Sequence, residues 1–181
     1  MGRAVLVGVM GPGRGAGEED LVTARQLGRA IATRGWVTLC GGRNSGVMSA
    51  VSEAAKQARG LTLGFLPGED LRDTAEGVLV ALPTGLGQAR NNLNVLSADL
   101  VVAIAYRPGS GTFSEICLAD KNAKPLLVIT RDPQLRDTIH QLCRHQVVFA
   151  AEAEEAIHQM NRMVRQNRTP EDMELLRLER G

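Results

Sequence analysis

The chain has 181 residues, 44% of them apolar and only 3% aromatic, so it is one domain long and must build its core from Val, Leu, Ile, Ala and Met. A net charge of +1, with both signs mixed along the chain, leaves no basic face for nucleic acid, and no apolar run is long enough to span a bilayer. Cys40, Cys117 and Cys143 lie among apolar neighbours without CxxC spacing, which reads as reduced thiols in a cytoplasmic protein, neither a disulfide frame nor a zinc site.

Short apolar runs alternate with helix-period segments, the pattern of βαβ units around a parallel sheet. Residues 3–9 form the first strand, continuously apolar through Ala4, Val5, Leu6 and Val7 as a strand covered on both faces should be. The loop Gly11-Pro12-Gly13-Arg14-Gly15-Ala16-Gly17 follows. A helix then opens on Glu18, Glu19 and Asp20 and closes at Gly35. Residues 36–40 are the second strand, Gly41 to Gly46 its turn, and 47–59 the next helix, stopped by Gly60. Strands follow over 61–66 and 78–82, separated by a polar loop, and a helix over 88–97. Residues 100–105 are a central fifth strand. The loop Tyr106-Arg107-Pro108-Gly109-Ser110-Gly111-Thr112 leads into a helix ending near Asn122. A sixth strand (125–130), a helix (134–144), a seventh strand (147–149) and a long helix (151–166) complete the domain. In the last helix Ala156, Ile157, Met160, Met163 and Val164 share one face, a stripe for the core or for a subunit interface. The expected fold is α/β, a Rossmann-like open and mostly parallel sheet of about seven strands with helices on both faces. Residues 1–168 form the single domain, and 169–181 a C-terminal helical tail.

In such a sheet ligands bind beyond the carboxyl ends of the strands. Four glycine clusters, Gly8–Gly17, Gly41–Gly46, Gly85 with Gly87, and Gly109 with Gly111, each precede a helix. Bare N–H groups at a helix start hold anions, and glycine lets a phosphate reach the backbone. Named nucleotide motifs fail. There is no G-x-G-x-x-G, and no acid follows Cys40 to hold a ribose. Val47 stands where a P-loop needs Lys.

The segments Gly41-Gly42-Arg43-Asn44-Ser45-Gly46-Val47-Met48, Ala89-Arg90-Asn91 and Pro108-Gly109-Ser110-Gly111-Thr112-Phe113-Ser114-Glu115, in that order, resemble a superfamily once misnamed "lysine decarboxylase". It includes the "lonely guy" phosphoribohydrolases and the molybdenum cofactor carrier proteins. Schiff-base chemistry is not implied, because Lys56, Lys121 and Lys124 all lie on helical segments with surface spacing. Against the hydrolase pattern P-G-G-x-G-T-x-x-E, Glu115 matches the catalytic Glu, Arg90 the paired Arg, and Gly109, Gly111 and Thr112 the phosphate loop. Arg107-Pro108 replaces Pro-Gly, however, and Asn91 replaces Lys. The run Gly87-Gln88-Ala89-Arg90-Asn91-Asn92 is closer to the branch with the cofactor carriers.

Two functions follow from the resemblance. One is a binding protein for a phosphate-bearing, nucleotide-like ligand, in its specific form a molybdenum cofactor carrier. The other is a nucleoside 5′-monophosphate phosphoribohydrolase in which Glu115 and Arg90 are catalytic. The candidate ligand contacts are Gly8, Met10, Gly11, Gly41, Gly42, Arg43, Asn44, Gly46, Arg90, Gly109, Ser110, Gly111, Thr112 and Glu115. No cofactor is expected to be needed for folding. A nucleoside monophosphate or the molybdenum cofactor is the implied ligand, no metal is held by the protein itself, and a homo-oligomer, dimer or tetramer, is the implied assembly. From the residues alone Glu115 also reads as a helix-start acid, Ser110 and Thr112 as helix caps, Asn44 as a turn residue and Arg14 as a mobile loop residue.

Overall fold

The computed structural model describes residues 3–166. Seven strands form one sheet in the order β4-β3-β2-β1-β5-β6-β7, and every pairing is parallel. The strands are β1 (Leu6–Met10), β2 (Val37–Cys40), β3 (Thr62–Leu66), β4 (Val80–Pro83), β5 (Leu100–Ile104), β6 (Leu126–Ile129) and β7 (Val147–Ala150). The helices are α1 (Glu18–Ala32), α2 (Gly46–Gln57), α3 (Asn91–Ser97), α4 (Ser110–Lys121), α5 (Pro133–Leu142) and α6 (Ala153–Gln166).

Both sheet faces are covered, and the alternation of side chains divides the strand residues between two cores. Leu100, Val102 and Ile104 of β5 pack with Val7 and Val9 beneath α1, α2 and α6. Val101 and Ala103, on the opposite face, pack with Val95, Ile116 and Ile139 beneath α3, α4 and α5. Valines with no exposed surface, such as Val7 and Val102, each contribute about 1.5–3 kcal/mol by leaving water. The nearly unbroken apolar runs of β1, β5 and β6 reflect this double burial.

With few aromatics to fill space, the α1–α2 layer is closed by small residues at short range. Gly28 of α1 lies against the α2 backbone, where an added Cβ would fall 3.1 Å from the Ala55 nitrogen and closer still to the Val51 carbonyl oxygen. The apolar stripe of α6 belongs to this same core. Ala156, Met160, Met163 and Val164 are buried within the chain and Ile157 packs beside them, so the stripe is not a free subunit face.

The sequence expectations need three adjustments. The helix expected over 88–97 is divided into a tight 3-10 turn, Gly87–Arg90, and a short α3. The fourth strand lies two residues later than expected at its start. It is an edge strand with Val80 and Leu82 exposed. The first strand likewise begins at Leu6, because Val5 sits in the core without belonging to the regular strand. The tail expected at 169–181 lies outside the described residues.

Candidate functional site

The strand order reverses between β1 and β5, since β2, β3 and β4 extend one way and β6 and β7 the other. A crevice must open there at the carboxyl ends, where the connections leave in opposite directions. It is a cleft of about 830 Å³, lined by residues 9–14 at the end of β1 and just beyond it, Gly41, Arg43 and Met48 after β2, Gln88, Arg90 and Asn91 at the turn into α3, and residues 109–112, Ser114 and Glu115 at the start of α4. That volume suits a ligand of nucleotide size.

The helix starts around the cleft differ in charge. At α1, Asp20 accepts a hydrogen bond from the Gly17 N–H through Oδ2 (2.9 Å), and Glu18 and Glu19 add negative charge in the same turn, so this terminus is already neutralised. The first turn of α4 has no acid, and its N-cap, Gly109, brings no side-chain bond. The intrahelical ladder begins only at Phe113 N–H, bonded to the Gly109 carbonyl (3.1 Å). The amides of Ser110, Gly111 and Thr112 therefore head the helix without an intrahelical acceptor, the arrangement in which a helix start can receive an anion. Ser110 and Thr112 are not its caps. The loop before α4 is anchored by Tyr106, whose hydroxyl donates to the Ala151 carbonyl (3.2 Å) and contacts the Thr23 hydroxyl (3.3 Å).

Arg90 supplies the charge. Only 6% of its surface is exposed, and its Nε is buried without a hydrogen-bond partner. Burial pulls its pKa down, opposed by the nearby Glu115. The guanidinium lies against Gly41, where an added Cβ would fall 2.7 Å from Cζ and closer to both terminal nitrogens. This close approach is why glycine stands at the end of β2. Arg43 also lines the cleft and is held by Asp73, with Nε donating to Oδ2 at 2.5 Å.

Glu115, 6% exposed, forms the floor beside Arg90. Its Oε1 accepts from Asn94 Nδ2 at 3.0 Å, and among the described residues no cation approaches it within ion-pair distance. Burial raises its carboxyl to about 7, against the smaller opposing effects of Asn94 and Arg90. It bonds to no helix-start amide, so the capping role open from sequence is not the one it plays. Cys40, fully buried at the end of β2, is raised to about 11 by burial and accepts from the Gly42 N–H at 3.4 Å.

Of the residues singled out from sequence, Met10, Gly11, Gly41, Arg43, Arg90, Gly109, Ser110, Gly111, Thr112 and Glu115 line the cleft. Gly8, Gly42, Asn44 and Gly46 do not. Gly8 is covered by the Met10 methyl and Ala98, and Gly46 packs under the Pro12 and Gly13 carbonyls at φ +52°. Asn44 organises its own loop, with its N–H on the Asp73 carbonyl and its side chain accepting from Ser49 Oγ at 2.9 Å. It is not a left-handed turn residue, since Arg59 and Ala123 are the described non-glycine residues with positive φ. Gly85 and Gly87 also stay outside, so three of the four glycine clusters supply lining residues. Arg14, whose place between glycines suits either closing over a phosphate or lying in a mobile loop, lines the cleft, and Met48, Gln88, Asn91 and Ser114 join it. Asn94 carried no sequence signal beyond standing one helical turn after Arg90. None of the lysines borders the cleft, and among the described residues no three His, Cys, Asp or Glu side chains cluster as metal ligands.

Known proteins resemble the chain over nearly its whole length. The profile of the SLOG cluster4 family matches residues 4–166. The molybdenum cofactor binding protein of the phototrophic bacterium Rippkaea orientalis is 44% identical, over 90% of this chain and 98% of its own, with a TM-score of 0.85. The molybdenum cofactor carrier protein of Chlamydomonas reinhardtii is 39% identical over 90% and 99%, with a TM-score of 0.82. DNA processing protein A of Helicobacter pylori, at 19% identity over 87% and 80% and a TM-score of 0.64, shares the fold alone. Comparison with the curated proteins finds no match.

Proposed function

The chain belongs to the SLOG cluster4 family, and from that premise we propose that it binds and carries the molybdenum cofactor, a pterin with one phosphate, as cargo. The observation that carries this reading is the pairing of a nearly buried, partly unpartnered Arg90 with the uncapped start of α4 across one cleft. That pairing accepts one phosphate. The apolar wall of Val9, Pro12 and Met48 gives a flat ring a surface to lie on. The likeness at about 40% identity to a cofactor binding protein and a cofactor carrier supports the same ligand.

The fit rests on this chain's own residues. Arg90 would give the phosphate a charge-assisted hydrogen bond, and the Ser110, Gly111 and Thr112 amides would complete its shell. Arg43, fixed by Asp73, would stand at the side of the cleft. No residue here needs to change bonding in the ligand; the protein holds it and limits its exposure to water. We place the protein in the cytoplasm, consistent with the three free cysteines. No described helix is long and apolar enough to cross a membrane. We also read it as a homo-oligomer, for which the exposed Leu79, Val80 and Leu82 beside the sheet edge offer apolar surface.

A second reading, N-glycosidic hydrolysis of nucleoside 5′-monophosphates, retains one observation in its favour: Glu115 and Arg90 share the floor of the cleft. One experiment separates the two. The protein is mixed with molybdenum cofactor and separated by gel filtration, and its bound pterin is measured by fluorescence after oxidation. In parallel it is incubated with nucleoside 5′-monophosphates and free base is sought by chromatography. Near-stoichiometric pterin without free base is the expected result. Free base that disappears in Glu115→Ala, with no pterin retained, would establish the hydrolase.

A further inference from the structure

Asn94 is assigned no role by the family pattern, yet it is fully buried between α3 and α4 and touches the one acid in the cleft. Its Nδ2 donates to Glu115 Oε1, while its Oδ1 is buried with no donor in reach. A carboxylate can only accept, so an ionised Glu115 cannot satisfy that oxygen. A carboxylic acid can. Its O–H is the donor that Oδ1 lacks, and a second bond from it would close an acid–amide pair. If the amide is reversed, Oδ1 faces the carboxyl directly and needs the same proton.

We propose that Asn94 is a positioning residue that holds Glu115 as a carboxylic acid in this pair, clear of Arg90, so that the ligand's anionic group and not Glu115 takes the guanidinium. The inference rests on reading the cleft as an anion site. An ionised Glu115 would compete with the ligand for the same cation. Ligand capture is therefore tied to the proton on Glu115, which comes from solvent whenever the carboxyl starts ionised. The groups facing this carboxyl are consistent with that balance: Arg90 from the turn before α3, Asn94 from α3 and the fully buried Cys40 thiol from β2. Arg43 acts at one remove, through Arg90. Burial already raises the acid to about 7, so the link operates in the neutral range. A lone Nδ2–H bond favours the carboxylate; the second bond exists only for the acid and reverses that preference.

The test uses the full chain and sulfate, a dianion that does not titrate between pH 5.5 and 8.5, followed by the amide shifts of Ser110 and Gly111 in ¹⁵N spectra. Sulfate affinity is expected to be flat at the acid end and to fall by up to about tenfold per pH unit above the titration of Glu115. Glu115→Gln, a neutral mimic of the acid, should bind at pH 8.5 as tightly as the wild type binds at pH 6. Asn94→Leu frees the carboxyl to close on Arg90 and should move the midpoint of the profile to lower pH. A merely structural Asn94 would weaken binding equally at every pH and leave the midpoint in place, which would overturn its positioning role. An unchanged affinity across the range in the wild type, or the same fall in Glu115→Gln, overturns the proton link while leaving the anion cleft intact. If sulfate gives no saturable shift at any pH, the cleft reading itself fails and this inference falls with it.

Discussion

Arg90 keeps a full positive charge almost out of water with its Nε unpartnered, an arrangement that costs stability unless a ligand completes it. Replacing it tests that directly. Arg90→Ala should weaken phosphate-ligand binding by about 10- to 100-fold, the loss of one charge-assisted hydrogen bond, measured by titration calorimetry. Gly41→Ala should do nearly as much with Arg90 still present, because the new methyl occupies the guanidinium's place. The double variant should then be little worse than either single one, a non-additivity that marks a shared cause. Glu115 makes a prediction of the opposite kind, about stability. Its carboxyl lies near 7 when folded and 4.5 when free, so between those values the folded chain binds the extra proton. Its contribution is therefore fully present below about 4.5 and is lost as pH rises through about 7. Thermal unfolding across pH 5.5 to 8 should show Tm falling with pH, and Glu115→Gln should flatten that slope. Glu115 and Arg90 were legible in the sequence because both stand in recognisable motifs. Asn94 was not, since its importance comes from α3 lying against α4, which no spacing along the chain discloses.

Among the elements, helix termini decide what the cleft can hold. The first helix is closed to anions by its own Asp20, Glu18 and Glu19, and the fourth is open. Those acids were plain in the sequence, and so were the glycines before α4. The division of residues 87–97 into a 3-10 turn and a short helix was not. The turn is set by tertiary contacts and a positive φ at Gly87, whose N–H bonds the Pro67 carbonyl, while the Gln88–Asn91 sequence has ordinary helical character. The small residues of α1 and α2 carry a second element-level consequence. Gly28→Ala would gain about 1 kcal/mol of helix propensity. It would also drive a methyl into the α2 backbone at Val51 and Ala55, an overpacking of about 1–3 kcal/mol. Steric overlap with backbone should win, and Tm should fall by about 2–4 °C for each net kcal/mol. A rise in Tm would show that the two helices separate freely.

For the molecule as a whole, the parallel sheet was readable because strands buried on both faces leave continuous apolar runs, as at residues 100–104. The edge strand begins two residues later than the sequence pattern suggests because Val80–Pro83 pairs on one side only, with β3, and its apolar residues obey no burial pattern. The same contrast predicts hydrogen exchange. Amides of β5, paired to β1 and β6, should exchange only through global unfolding, and those of β4 through local opening at much lower free energy. Equal protection would mean that another chain covers the edge. The β1–β5 pairing joins Val7 to Leu100 and Met10 to Ala103, partners separated by more than half the chain. The cleft draws one wall from residues 9–48 and the other from residues 88–115. During synthesis at about 5–20 residues per second, the first wall therefore waits roughly 3–13 s for the second. No nascent fragment ending before Glu115 possesses the site, so capturing a ligand certifies that the sheet has been completed across its centre.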